Sequence, residues 1–384
     1  MKIGVIGLGT VGFGVVDILT KEKARLEKEI NEEVTIKYGC ALEDVTLPKG
    51  IIYTKDFHDV INDDEVDVVV ELIGGTTIAK TIILSAIEKG KHVVTANKAL
   101  LAHYGKEIFE AANKNKVNVF YEASVGGGIP VVVPARESII GNNIKKIEGI
   151  LNGTTNFILT LMEKDNLDFE EALAIAQDLG FVEADASLDL DGIDAAHKIC
   201  ILAMNAFKQF IDFDKIKCDG ITRVTKRDID IAKKLGYRIK LIAQAKKYDH
   251  SIGIDVSPTL VSLNDLVSSV NESYNVVEIT CDYVENVLFY GKGAGRYVTA
   301  SAVVGDIIKT TQKELWSHDY HNHLDIIPIT YSKYYVRTQS KLTIDYETYF
   351  TFDSDQVYIT NEIEYQSLLE QLNGVECQIF KVRS

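Results

Sequence analysis

Two stretches of the chain carry residues whose types and spacing suit chemistry. Near the start, Gly7-Leu8-Gly9-Thr10-Val11-Gly12 reads G-x-G-x-x-G. It follows the apolar run Lys2–Ile6 and opens a helical pattern, the setting in which this spacing cradles a dinucleotide. Gly7 permits the tight turn. Gly9, without a side chain, lets the backbone N–H groups around Thr10 and Val11 approach a pyrophosphate, and Gly12 lets helix and strand pack closely. The helix N-terminus adds partial positive charge for the phosphates. The second stretch is Gly180–Lys198, GFVEADASLDLDGIDAAHK, where Glu183, Asp185, Asp189, Asp191 and Asp194 precede Lys198. Asp194 and Lys198 are four apart and share a helix face. By spacing alone, most of these acids read as a solvated loop and the pair as an ordinary surface ion pair. The spacing does not match the calcium loop D-x-[DN]-x-[DN]-G.

Thr95-Ala96-Asn97-Lys98 closes a strand pattern. Open α/β sheets bind ligands at the carboxyl ends of their strands, which places Lys98 where a cofactor ring or a reacting carbonyl would lie. A plain surface lysine is the competing reading. The second strand ends in Cys40-Ala41-Leu42-Glu43-Asp44. An acid at this point bonds the ribose 2′-OH of NAD, whereas an arginine accommodates the 2′-phosphate of NADP. Glu43 therefore leans the cofactor towards NAD. Its distance from Gly12 exceeds the usual ~20 residues, so a solvated loop is an equal reading. His318, His321 and His323 cluster in HDYHNH and read as a solvated linker rather than a metal site.

The elements that must position these residues follow an alternating rhythm. Strand patterns at Lys2–Ile6, Val34–Leu42, Val66–Ile73, His92–Ala96 and Val117–Glu122 alternate with helical patterns at Val11–Glu29, Thr81–Lys89 and Tyr104–Asn115. Near-continuous apolar strands such as VDVVVELI suit a parallel sheet covered on both faces. The fold class is thus α/β, with a Rossmann-like doubly wound parallel sheet over residues 1–130, completed by a return helix at 296–318. Residues 131–295 read as a second α+β domain, and 320–384 as a small C-terminal α+β unit.

Composition bounds the function. The chain has 384 residues, 46% apolar and 25% charged, as for a globular protein. Its formal net charge of −15 disfavours sequence-independent nucleic-acid binding and a polybasic membrane anchor. Five cysteines, widely spaced and without CxxC, suit a reducing compartment, and the cytoplasm is expected. No run reaches the ~18 apolar residues of a membrane span.

Taken together, these segments resemble the homoserine dehydrogenase family over nearly the whole chain. The resemblance rests on Ala176–Phe181, Glu183-Ala184-Asp185, Asp189–Asp194 and Lys198, with Asn97-Lys98, Glu122–Pro130, Gly149–Asn156 and Gly291–Gly295. Val182 and Ala186 depart from the family pattern without removing a functional group. The resemblance implies NAD(P)-dependent, reversible reduction of L-aspartate 4-semialdehyde to L-homoserine by a homodimer, with the second domain catalytic and dimerising. It implies Lys198 as proton donor, Lys98 as a second catalytic lysine and Asp194 as the orienting acid. Glu183 and Asp189 would receive the substrate ammonium, and Lys98, Gly153 and Thr154 its carboxylate. Asn97, Gly293 and Gly295 would approach the cofactor. Glu122 with the carbonyls of Val125, Gly127 and Ile129 would hold a Na+ or K+ ion. The C-terminal unit resembles a reduced ACT module in a structural role. Two alternatives stand beside this reading: an inactive nucleotide or amino-acid sensor, and a dehydrogenase for another small carbonyl compound.

Overall fold

The computed structural model describes residues 1–182, 185–312, 315, 316, 318 and 320–383. The chain divides into two compact units. The first comprises Met1–Asn143, Cys200–Phe213 and Phe289–His323, and the second Ile144–Ile199, Asp214–Leu288 and Leu324–Ser384.

The first unit contains strands β1 (Lys2–Ile6), β2 (Thr35–Cys40), β3 (Ile52–Thr54), β4 (Val68–Glu71), β5 (His92–Thr95) and β6 (Val119–Phe120). Its helices are α1 (Thr10–Lys21), α2 (Lys23–Ile30), α3 (Phe57–Ile61), α4 (Thr77–Glu88), α5 (Lys98–Asn115) and α6 (Val132–Arg136). All strand pairings are parallel, in the order β3-β2-β1-β4-β5-β6. The chain steps outward twice on one side of β1 and then crosses to the other. A crevice therefore opens at the carboxyl ends of β1 and β4, where doubly wound sheets take a dinucleotide. Val68, Val69, Val70, Val93 and Val94 are wholly buried, as strands covered on both faces must be.

Several boundaries differ from the sequence pattern. The helix expected over Val11–Glu29 breaks at Glu22, after which only Leu26 is buried along α2. That charged run offers no second apolar stripe to extend α1. The helix expected from Tyr104 begins at Lys98, because Asn97 caps it by accepting the Leu100 N–H at 3.1 Å. The return helix α12 (Arg296–Lys309) ends before the expected residue 318. It lies so close to α1 that a Cβ on Gly14 would stand 2.8 Å from that of Ala300. His318 is 3% exposed and stacks on Phe109 at 4.2 Å, contrary to the expected solvated linker, whereas His321 and His323 are exposed.

The second unit follows β7 (Ile144–Ile150) with α7 (Gly153–Lys164), α8 (Phe169–Asp178), α9 (Ser187–Leu190) and α10 (Ile193–Phe207), the last continuing into the first unit. Strands β8 (Lys217–Cys218), β9 (Tyr237–Lys247), β10 (Ser251–Ser262), β11 (Tyr274–Cys281) and β12 (Asn286–Lys292) follow, the last continuing into the first unit, with α11 (Lys226–Lys234) between β8 and β9. The C-terminal segment adds β13 (Asp325–Ile327), β14 (Tyr331–Thr338), β15 (Tyr346–Phe352), β16 (Asp355–Thr360), β17 (Ile363–Glu364), α13 (Tyr365–Leu372) and β18 (Gln378–Val382). The main path of the sheet runs β12-β11-β7-β9-β10-β18-β14-β16-β15.

Residues 320–384 are thus not a detached unit. β18 pairs antiparallel with β14 and parallel with β10, through Thr259↔Lys381 and Leu260↔Val382, and makes one sheet of the two parts. Side chains reinforce the seam. Asp228, fully buried on α11, accepts the Arg337 Nε–H at 2.6 Å, and Arg383 pairs with Glu148 and Glu278 at 2.9 and 3.0 Å.

Candidate active site

The dinucleotide half begins where β1 meets α1. Gly7 has φ +101°, and a Cβ there would lie 2.5 Å from the Leu72 carbonyl carbon. A Cβ on Gly12 would lie 2.0 Å from the Gly7 oxygen, whereas Gly9 faces open space. Gly9 is the N-cap of α1, and neither a capping side chain nor a first-turn acid occupies the amides at Thr10 and Val11. These residues fit a bound pyrophosphate: open N–H groups, room above Gly9 and a helix N-terminus.

At the carboxyl end of β2, Leu42, Glu43 and Asp44 are exposed. Tyr53 donates to the Glu43 carbonyl at 3.0 Å, and Lys55 pairs with Asp44 at 2.9 Å. The loop therefore presents acids, and the lysine that reaches it is engaged by one of them.

A buried network closes the ends of β4 and β5. The Glu71 carboxylate accepts from Thr95 Oγ1 at 2.7 Å and from the Ile73 N–H at 2.9 Å, and burial pushes its pKa up. Thr95 Oγ1 in turn accepts the Asn97 N–H at 3.0 Å, and Asn97 Nδ2 donates to the Gly75 carbonyl at 2.6 Å. Gly74 and Gly75, both at positive φ, form the loop so held. Lys98, half-buried, is the first residue of α5 rather than the last of a strand.

Glu122 is the anchor of α6. Its carboxylate accepts the N–H groups of Val131, Val132 and Val133 at 2.5, 2.8 and 2.8 Å, and its own N–H donates to Asp306 at 2.8 Å. Burial raises the pKa of both acids, and the charge of Glu122 raises that of Asp306 further. A Cβ on Gly127 would lie 2.5 Å from the Gly293 oxygen, so Gly127 and the segment leading through Gly295 into α12 lie together. Among the described residues no cluster of three or more His, Cys, Asp or Glu side chains can hold a metal.

The lysine half lies on the second unit. Lys198, 9% exposed, donates from Nζ to Asp194 Oδ2 at 2.6 Å and to the Leu151 carbonyl at 2.7 Å. Asp194 is 8% exposed. The pair is therefore buried and doubly anchored, unlike a surface i,i+4 contact. Asn152 Nδ2 bridges Asp189 Oδ1 at 2.6 Å and Asp194 Oδ2 at 2.8 Å. Burial, and then the charge of Asp194, raise the Asp189 pKa. Gly153 and Thr154 form the start of α7 beside this group, and a Cβ on Gly153 would stand 2.8 Å from the Ser273 oxygen.

The acid-rich stretch thus divides by role. Asp189 and Asp194 join Lys198. Asp185 holds the Ser187 N–H and hydroxyl at 3.1 and 2.7 Å, which lowers its pKa, and Asp191 is exposed. Glu183 lies outside the described residues. Sequence reasoning did not single out Asn152, the Leu151 carbonyl or Glu71. An asparagine before Gly-Thr-Thr does carry an N-cap signal. It also missed Lys240, 1% exposed, whose Nζ donates to Asn156 Oδ1, the Val270 carbonyl and Asn271 Oδ1 at 2.9, 2.6 and 3.1 Å. Burial brings its pKa down to about 7.

The family model described as homoserine dehydrogenase matches residues 130–308, and that described as the homoserine dehydrogenase NAD binding domain matches residues 7–122. The chain is 46% identical to the homoserine dehydrogenase of Synechocystis sp. over 315 residues, 80% of this chain and 72% of that protein. The chain belongs to the homoserine dehydrogenase family. Among solved structures it is similar to the homoserine dehydrogenase from Thiobacillus denitrificans, with a TM-score of 0.95 at 32% identity over 100% of this chain and 98% of that one. A hyperthermophilic archaeal homoserine dehydrogenase in complex with NADPH matches with a TM-score of 0.70 at 26% identity, over 82% of this chain and 98% of that one.

Proposed function

We propose that the chain is an active homoserine dehydrogenase, interconverting L-aspartate 4-semialdehyde and L-homoserine with NAD(P)H, with Lys198 as the proton donor. The observation that carries this reading is the buried ammonium held by Asp194 and the Leu151 carbonyl. The bound nicotinamide supplies the hydride. As hydride reaches the aldehyde carbon, negative charge develops on the oxygen, and a positioned ammonium both stabilises that charge and delivers a proton. Two of its three protons are committed to Asp194 and Leu151, which aims the lysine, and the third serves the substrate oxygen. In the reverse direction the neutral amine takes the proton from homoserine.

Glu183 and Asp189 receive the substrate ammonium in this proposal. The amides at Gly153 and Thr154, at the start of α7, suit its carboxylate. Lys98, on the first turn of α5, is the second catalytic lysine. Gly7, Gly9, Thr10, Val11, Gly12, Asn97, Gly293 and Gly295 serve the cofactor. The acids at Glu43 and Asp44 support NAD over NADP. An oxygen-only set, Glu122 with the carbonyls of Val125, Gly127 and Ile129, suits a Na+ or K+ ion in kind. A homodimer in the cytoplasm is part of the same proposal. Among the described residues no helix is long and apolar enough to cross a membrane.

Steady-state assays with aspartate semialdehyde and NADH or NADPH side by side test the reading. Oxidation of reduced cofactor, reversed by L-homoserine with the oxidised form, is the expected result. Silence with both cofactors points to a sensor, and turnover indifferent to homoserine points to another carbonyl substrate.

A further inference from the structure

We propose that Asn152 is a positioning residue for the reaction: its side-chain amide clamps Asp189 to Asp194 and so fixes the Lys198 ammonium. The inference rests on the reading of Lys198 as proton donor and assigns the group that keeps it aimed.

The amide uses its whole hydrogen-bonding capacity. One proton of Nδ2 goes to Asp189 Oδ1 at 2.6 Å and the other to Asp194 Oδ2 at 2.8 Å. Its Oδ1 accepts the Thr155 N–H at 2.8 Å and the Thr155 hydroxyl at 2.9 Å. A flipped amide would set its oxygen against two carboxylates and its NH2 against an N–H, so the orientation is fixed by the partners. Asn152 is 4% exposed, and these four bonds leave it no other rotamer of equal worth.

The residue type follows from the acids rather than from the cap. Serine, threonine and aspartate also cap a helix by accepting the N3 amide. Only an amide accepts from the helix while donating twice to a pair of like-charged groups. Without that donor, Asp189 and Asp194 repel, and the pair separates or takes up a proton. The charged groups facing Asn152 are Asp189 of α9, and Asp194 and Lys198 of α10.

The clamp reaches Lys198 by two routes. Asp194 Oδ2, the atom bound by Asn152, is also the atom that accepts from Lys198 Nζ at 2.6 Å. The second acceptor of Nζ is the carbonyl of Leu151, the residue directly before Asn152. The next residue, Gly153, has its backbone against the Ser273 oxygen and admits no side chain. Leu151, Asn152 and Gly153 therefore form one rigid corner. An ammonium misplaced by about 1 Å loses on the order of a hundredfold in rate.

The test compares Asn152→Ser and Asn152→Asp with wild type in the full chain. Active sites are titrated by NAD(P)H binding, and Lys198→Ala serves as reference. Asn152→Ser retains a cap and is expected to keep the thermal midpoint while kcat per active site falls roughly 10–100-fold, with the KM for NAD(P)H unchanged. Asn152→Asp, an equally good cap, loses both donated bonds and is expected to lower kcat per active site at least as far, with the KM for NAD(P)H unchanged. It also carries the test if the serine variant does not fold. Wild-type kcat per site in either variant overturns the clamp. So does a loss confined to the thermal midpoint and the number of active sites, which is the mark of a cap alone. Full activity in Lys198→Ala sinks the proton-donor reading itself. An inactive Lys198→Ala beside wild-type Asn152 variants sinks only the clamp.

Discussion

In the proposed mechanism Lys198 carries the chemistry, and it is held by one buried contact with Asp194 and one with a backbone carbonyl. Replacing it by alanine removes the positioned acid, and kcat is expected to fall by about 10²–10⁴ while NAD(P)H still binds, as fluorescence titration checks. Cofactor choice is likewise a matter of single residues. Leu42 is exposed at the end of β2 beside Glu43 and Asp44, and an arginine there supplies the cation that a 2′-phosphate needs. Leu42→Arg is expected to raise kcat/KM for NADPH relative to NADH. The i,i+4 spacing of Asp194 and Lys198 was legible in the sequence. Their burial was not, because it is created by Leu151 and Asn152 arriving from more than forty residues away.

At the scale of elements, the strand-glycine-helix junction was the clearest signal, since its steric demands are local. Gly12 abuts the Gly7 oxygen at a distance that no Cβ tolerates. Gly12→Ala must therefore displace α1 from β1, and cofactor affinity measured by titration should collapse while the second unit keeps its fold. The start of α5 was missed: the strand pattern drew Asn97 and Lys98 into the wrong element and set the helix at Tyr104, although Asn97 caps it. The break between α1 and α2 was hidden for the opposite reason. Charged residues at helical spacing favour a helix without saying whether one helix or two is needed to stay on the sheet.

At the scale of the molecule, what the sequence concealed is long-range. The last segment reads as an independent unit because its strand and helix patterns are self-sufficient, yet β18 lies between β10 and β14. Arg383, its side chain 8% exposed, neutralises Glu148 and Glu278 at that seam. Arg383→Ala leaves Glu278, whose pKa burial already raises, without its partner. A loss of about 3 kcal/mol in urea unfolding is expected. His318 sets an acid limit on the first unit. Burial among Phe109, Trp316 and Tyr121 holds its pKa well below the usual value. The folded ring stays neutral while the unfolded one takes up a proton near pH 6.5. Stability from this group is therefore full above that pH and falls as pH drops below it, by up to roughly 1.4 kcal/mol per unit. Thermal midpoints between pH 7 and 5 should decline more steeply for wild type than for His318→Phe.

The threading of β18 also dictates when a growing polypeptide can mature. Residues 378–382 fill a gap between 251–262 and 331–338, while the nucleotide-binding half borrows α12 from residues 296–309. Neither half can close before the segment that completes it, residues 296–309 or 378–382, has been made. Nascent chains released early should emerge with open edges, as clients for chaperones and proteases rather than as partly working enzymes.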